Sequence, residues 1–77
     1  MSHIETRRYL RRISDVAAFN EVINAVILSE QEKQLMQLHY IDKQDFRFIG
    51  DKLGLSESSV KRKHREILRT IERYINK

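Results

Sequence analysis

Cysteine, proline and tryptophan are absent from the sequence, and glycine occurs only twice, at Gly50 and Gly54. Without cysteine there is no disulfide framework and no thiolate metal site, so a small chain must hold together by packing alone. Without proline nothing interrupts a helix from within, and with two glycines each becomes a positional marker. The alternating polar and apolar runs that build strands are also missing. No apolar run approaches the roughly 18 residues of a membrane-spanning helix, and the N-terminus lacks the apolar core of a signal peptide. These absences predict an all-α, soluble, cytoplasmic protein with no membrane association.

What is present is charge, unevenly placed. The 77 residues carry 15 Lys and Arg against 11 Asp and Glu, and a sequence pI of about 9.7 invites an anionic partner. Residues 1–14 hold Arg7, Arg8, Arg11 and Arg12 against Glu5. Residues 15–55 hold four bases against seven acids, and residues 56–77 hold seven bases against three acids. The positive charge therefore sits at both ends of the chain, around an acidic middle.

The length allows one domain with a modest core, and hydrophobic spacing divides it into four to five helices. Val16, Phe19, Val22, Ile23, Val26 and Ile27 share one stripe at about 100° per residue, which predicts an amphipathic helix over 15–28. Tyr9, Leu10 and Ile13 fall out of phase with that stripe, and Ser14 is a good N-cap. A break near Ser14 is therefore expected, leaving a short Arg-rich helix or arm at about 3–12. Ser29-Glu30-Gln31-Glu32 has the form of a capping box and predicts a helix over 30–40 that buries Leu35, Leu38 and Met36. A polar turn follows at 41–44. Asp45 then caps a short helix over 46–53, and Gly54 stands where a left-handed residue ends it. Ser56 caps the last helix, over about 57–75, with Val60, Ile67, Leu68, Ile71, Tyr74 and Ile75 on one stripe. The expected organisation is a single domain over 1–77: a basic N-terminal helix or arm (1–14), supporting helices (15–40) and a helix-turn-helix (45–75) with a long recognition helix.

Two helices joined by a tight glycine-containing turn make that helix-turn-helix. Gly50 falls where the helices cross closely, Gly54 makes the turn, Val60 plugs the second helix into the first, and Ile49, Leu53 and Leu55 supply the apolar contacts between. Over about 28–71 this arrangement resembles the C-terminal DNA-binding region of bacterial sigma factors and related small phage transcription regulators. The residues that carry the resemblance are Leu28-Ser29-Glu30-Gln31-Glu32, Tyr40, Phe46, Ile49, Gly50, Leu53-Gly54-Leu55-Ser56, Val60, Leu68 and Ile71. It implies a compact helical DNA-binding module used in transcription. Two positions depart from it. Gly50 replaces the commoner Ala, a change that reads as sterically harmless. Lys63 replaces an apolar residue, and is expected to lay its stem along the core edge with its charge outward. Nothing in the sequence corresponds to the sigma-factor regions that bind polymerase or open promoter DNA, so a complete sigma factor is not expected.

A recognition helix presents its first turn and outward face to major-groove base edges. Those positions are Glu57, Ser58, Lys61 and Arg62. Arg62 leads, because its planar fork can donate to the O6 and N7 of guanine together. Glu57 has two readings: it can accept from cytosine, or simply favour the helix dipole. Ser56, Ser59, Lys63 and Arg65 are expected on phosphates, where they fix register without reading sequence. His64 lies on or near the buried stripe, where a packed imidazole is the simpler reading. Arg7, Arg8, Arg11 and Arg12 either grip phosphates or a minor groove, as basic arms do, or keep the terminus soluble.

Catalysis is not indicated. His3, His39 and His64 are far apart with no second ligand at metal spacing, Asp42 and Asp45 flank a turn that capping explains, and Ser58 and Ser59 lack a nucleophile elbow. No metal or cofactor is expected. The leading expectation is a sequence-specific binder of double-stranded DNA acting in transcription control. A homodimer is expected too, because one short helix reads few base pairs; its contact would use 15–28 or the stripe Ile67, Leu68, Ile71, Tyr74 and Ile75, unless those stripes are ordinary core. Two rivals stay open: a module that docks on RNA polymerase or another regulator, and a DNA-binding module for packaging or recombination.

Overall fold

The computed structural model describes residues 3–12 and 16–75. Five helices follow in order: α1 (His3–Arg12), α2 (Val16–Ala25), α3 (Glu30–Tyr40), α4 (Phe46–Leu53) and α5 (Glu57–Ile75). The break expected near Ser14 lies outside the described residues. α4 packs against α5, α3 braces both, and α1 lies along α5. At about 1.5 Å per residue α5 is about 28 Å long, nearly the full 33 Å of the molecule's long axis.

Local chemistry accounts for most of the boundaries. Ser29 is extended (φ −71°, ψ 164°) and its hydroxyl accepts from the Glu32 amide, while the Glu32 carboxylate accepts from the Ser29 amide at 2.9 Å. Two backbone donors that the helix cannot satisfy are thus paired. Asp45 caps α4 through the Phe48 amide at 2.8 Å, and Ser56 caps α5 through the Ser59 amide. Gly54 ends α4 at φ +73°, where an L side chain is disfavoured. Gly50 is constrained differently. A Cβ there would meet the Leu55 carbonyl oxygen at 2.5 Å, because the Gly50 carbonyl itself accepts from the Leu55 amide at 2.8 Å and draws the turn against the helix. The glycine that reads as a harmless change in sequence is therefore required by this turn, and the crowding comes from backbone rather than from crossing side chains.

The core is built from Leu10, Phe19, Ile23, Leu35, Met36, Ile49, Val60, Ile67, Leu68 and Ile71, all at most 2% exposed, with Val26 and Tyr40 at its edge. Each such aliphatic side chain contributes about 1.5–3 kcal/mol on burial. Expectations for the end of α2 and for individual apolar positions are corrected. α2 stops at Ala25 rather than Leu28, because the chain must become extended to place Ser29 as a cap. Ile27, just past that end, is 98% exposed, and Val16 at the other end is also exposed. Tyr74 is exposed and Leu38 only half-buried. Of the two readings left open for Ile67, Leu68 and Ile71, a two-fold contact or ordinary core, the second holds: they are buried against α1 and the other helices.

Candidate nucleic-acid interface

The residues that aim α5 are those on its buried side. Val60 and His64, in its first half, are buried, and His64 meets rings of both α3 and α4. The Tyr40 hydroxyl hydrogen-bonds His64 Nε2 at 2.8 Å, which ties the end of α3 to the first half of α5. Around that bond His39 stacks on Phe46 with ring centres 4.5 Å apart, Phe46 meets His64 at 5.0 Å, and Phe19 of α2 reaches Tyr40 at 5.9 Å. One ring cluster thus joins four helices. The packed imidazole expected for His64 is found. Its partner Tyr40 is separated by 24 positions, a pairing that no helical period reveals.

Burial sets the charge states in this cluster. Burial holds His39 below its ordinary value of 6.5; its hydrogen bond to the Gln44 carbonyl opposes this, and Arg11, Arg7 and Lys43 add to the depression. His39 Nδ1 donates in that bond, at 3.0 Å, since a carbonyl only accepts. Burial also pushes the Tyr40 phenol up to about 12. Both rings are therefore neutral around neutrality.

The opposite side of α5 is open. Glu57, Ser58, Lys61 and Arg62, the base-edge candidates, are all exposed. Glu57 pairs with Lys61 one turn on, at 3.9 Å. The Ser56 hydroxyl donates to Ser59 Oγ at 2.9 Å and lies 3.3 Å from Ser58 Oγ, so three hydroxyls gather at the helix N-terminus, where backbone amides and the dipole favour an anion. At 100° per residue, Lys63 lies about 160° around the helix from both Lys61 and Arg65. The phosphate candidates therefore divide into two flanks, with Arg62 between them. Lys63 is half-buried, in keeping with a stem laid along the core edge.

The first helix contributes to one of those flanks. Arg7 lines a groove of about 240 Å³ with Lys61, Arg65, Phe46, His64 and Leu68. Arg11, one turn on, lines a second groove of about 320 Å³ with Lys43, Gln44, His39 and Tyr40. Arg8 is exposed and lines neither groove, and the side chain of Arg12 lies outside the described residues. α1 is held in place by fully buried Thr6, whose hydroxyl donates to Glu72 of α5 at 3.2 Å, and by Leu10.

Sequence reasoning misses three cations. Arg69 and Arg73 are exposed on α5 and continue the line of Arg62 and Arg65; the 62-65-69-73 spacing, three then four then four, is the signal that marks one helix face. Lys43 is exposed in the turn before α4 with φ +57°, a left-handed conformation uncommon for a non-glycine residue. Among the described residues no group of three or more His, Cys, Asp or Glu is placed to hold a metal, and no helix is long and apolar enough to cross a membrane.

The model of one protein family, Sigma-70, region 4, matches residues 26–73. Neither the curated proteins nor the solved structures compared with the chain give a match. The matched stretch holds α3, α4 and α5 together with their caps and turn, and covers well over half of the sequence. With an open cationic face on a helix set by a glycine turn, the chain belongs to the Sigma-70 region 4 family of helix-turn-helix DNA-binding domains.

Proposed function

We propose that the protein is a sequence-specific binder of double-stranded DNA that regulates transcription in a phage or mobile element, reading the major groove with the first half of α5. A cytoplasmic site of action goes with this reading. The observation that carries it is the division of α5: Val60, His64, Ile67 and Leu68 are buried, while Ser58 and Arg62 stand exposed on the other side, with Lys61 exposed at the margin and Glu57 exposed in the first turn. Arg62, between two cationic flanks, reads a guanine; Lys63 and Arg65 hold phosphates on either side.

Selection of bound duplexes from a random pool, followed by titration of the selected duplex at several salt concentrations, tests the reading. A defined sequence with a steep salt slope is expected, and a palindromic one is the expected sign of two copies on one site. Arg62→Ala should relax preference at one base pair at a cost of about 1–3 kcal/mol, whereas Lys63→Ala should weaken all sequences alike. Identical behaviour of the two variants contradicts the assigned roles. Tight binding without preference favours packaging or recombination. No duplex binding at low salt overturns the reading in favour of a module that docks on RNA polymerase or another regulator.

A further inference from the structure

The match to the family begins at residue 26, yet α1 lies before it and packs on the helix that the family uses to meet DNA. Two of its arginines, Arg7 and Arg11, occur one turn apart on one face, about 6 Å along the axis. Each borders a groove whose other walls belong to the helix-turn-helix and to the turn before it. Lys61 and Arg65 are common to the first groove and to the exposed cationic side of α5.

We propose that Arg7 and Arg11, with Lys43 and Arg65, form a composite clamp for successive backbone phosphates of one DNA strand at the lip of the major groove. The inference rests on the reading of α5 as the groove-entering helix, because only then does a strand run past this flank.

Four observations support it. First, Arg7, Arg11, Lys43 and Arg65 make no ion pair with an acid among the described residues, whereas Lys33 and Lys61 do. Gathering like charges without acids disfavours the free fold and is offset only when an anion arrives. Second, the charges act on the same place, since Arg11, Arg7 and Lys43 all bear on His39, which lines the second groove. Third, the spacing suits a strand: the separation of about 6 Å between Arg7 and Arg11 is on the scale of neighbouring phosphates of one strand, which lie further apart than the axial rise of about 3.4 Å because the strand winds around the axis. Fourth, Lys43 is held at φ +57°, a conformation that is unfavourable for a residue with a side chain and that is found disproportionately at binding sites. Arginine suits the task, since its fork meets phosphate in a bidentate fashion.

The test is titration of the full chain with its selected duplex at about 50 and about 200 mM salt. Arg7→Gln/Arg11→Gln should lower the slope of log affinity against log salt by about 1.8, about 0.9 for each phosphate that is no longer neutralised. The affinity ratio between parent and variant should then shrink about tenfold between those salt concentrations, equally for selected and unrelated duplexes. Lys33→Gln, which removes a charge already paired with Glu30, should leave the slope as it was. A second measurement needs no variant: replacing the flanking phosphates of one strand by neutral methylphosphonates should lower the slope of the parent chain by the same amount. An unchanged slope in both measurements overturns the clamp while leaving the reading of α5 intact. Loss of sequence preference in the Gln variant also overturns it, because α1 would then act on the reader and not on the backbone. Failure of the parent chain to bind any duplex brings down both.

Discussion

Gly50 and Gly54 are four residues apart and bear different loads. At Gly54 the demand is conformational: φ is +73° and a Cβ would meet open space. Gly54→Ala should therefore cost about 1–2 kcal/mol in urea unfolding, and Gly54→Asn distinctly less, since Asn tolerates the left-handed region. At Gly50 the demand is steric, a Cβ lying 2.5 Å from a backbone oxygen that cannot swing aside. Gly50→Ala should cost at least as much as Gly54→Ala and also weaken DNA binding, because relief must come from moving the start of α5. Equal DNA affinity for both variants after correction for stability would disprove that distinction. The rings behind α5 make a second prediction, about pH. His39 is depressed below 6.5 by burial, so the unfolded chain takes up a proton that the folded chain resists; stability present above about 6.5 is lost as pH falls toward the folded value. Tyr40 is raised from 10 to about 12, so stability present below pH 10 is lost as pH rises through that interval. Melting temperature should therefore decline on both sides, and Tyr40→Phe should abolish the alkaline decline while costing about 1–2 kcal/mol near neutrality by removing the hydroxyl from His64.

Among the elements, those with chemical punctuation can be read directly from the chain. The box at Ser29 and Glu32, the Asp45 and Ser56 caps and the Gly54 stop locate α3, α4 and α5 to the residue, because each satisfies backbone groups that would otherwise be stranded. α2 has no such mark at its end. Its apolar stripe continues through Val26 and Ile27 into a segment that is no longer helical, so periodicity alone overruns the boundary by three residues. Periodicity also cannot distinguish an apolar residue at the core from one just past it, which is why Val16, Ile27 and Tyr74 share buried stripes in sequence and are found in solvent. The interface is legible where it lies on one helix and illegible where it joins two, since nothing in the spacing of Arg7 foretells that it shares a groove with Lys61 and Arg65. α1 is anchored through Leu10, 1% exposed. Leu10→Ala should destabilise by about 2–5 kcal/mol, and calorimetry that finds less than about 1 kcal/mol would show that α1 is not an integral part of the domain.

For the molecule as a whole, charge and stability pull in opposite directions. A cationic flank built from α1, the turn and α5 repels itself in the absence of DNA, so melting temperature should rise with salt from low ionic strength as screening lengths fall from about 30 Å at 0.01 M to about 3 Å at 1 M. Arg7→Gln/Arg11→Gln should melt above the parent at low salt, with the gap closing near 1 M. A variant that melts lower at every salt concentration would show that these arginines are structural. The strict division of α5 has one more consequence, which concerns how such a protein changes over generations. None of Glu57, Ser58, Lys61 or Arg62 belongs to the core; all four are exposed. If the proposed reading holds, mutation can rewrite the recognised sequence without first being filtered by folding, so that a lineage carrying this scaffold is free to drift from one operator to another at nearly constant stability.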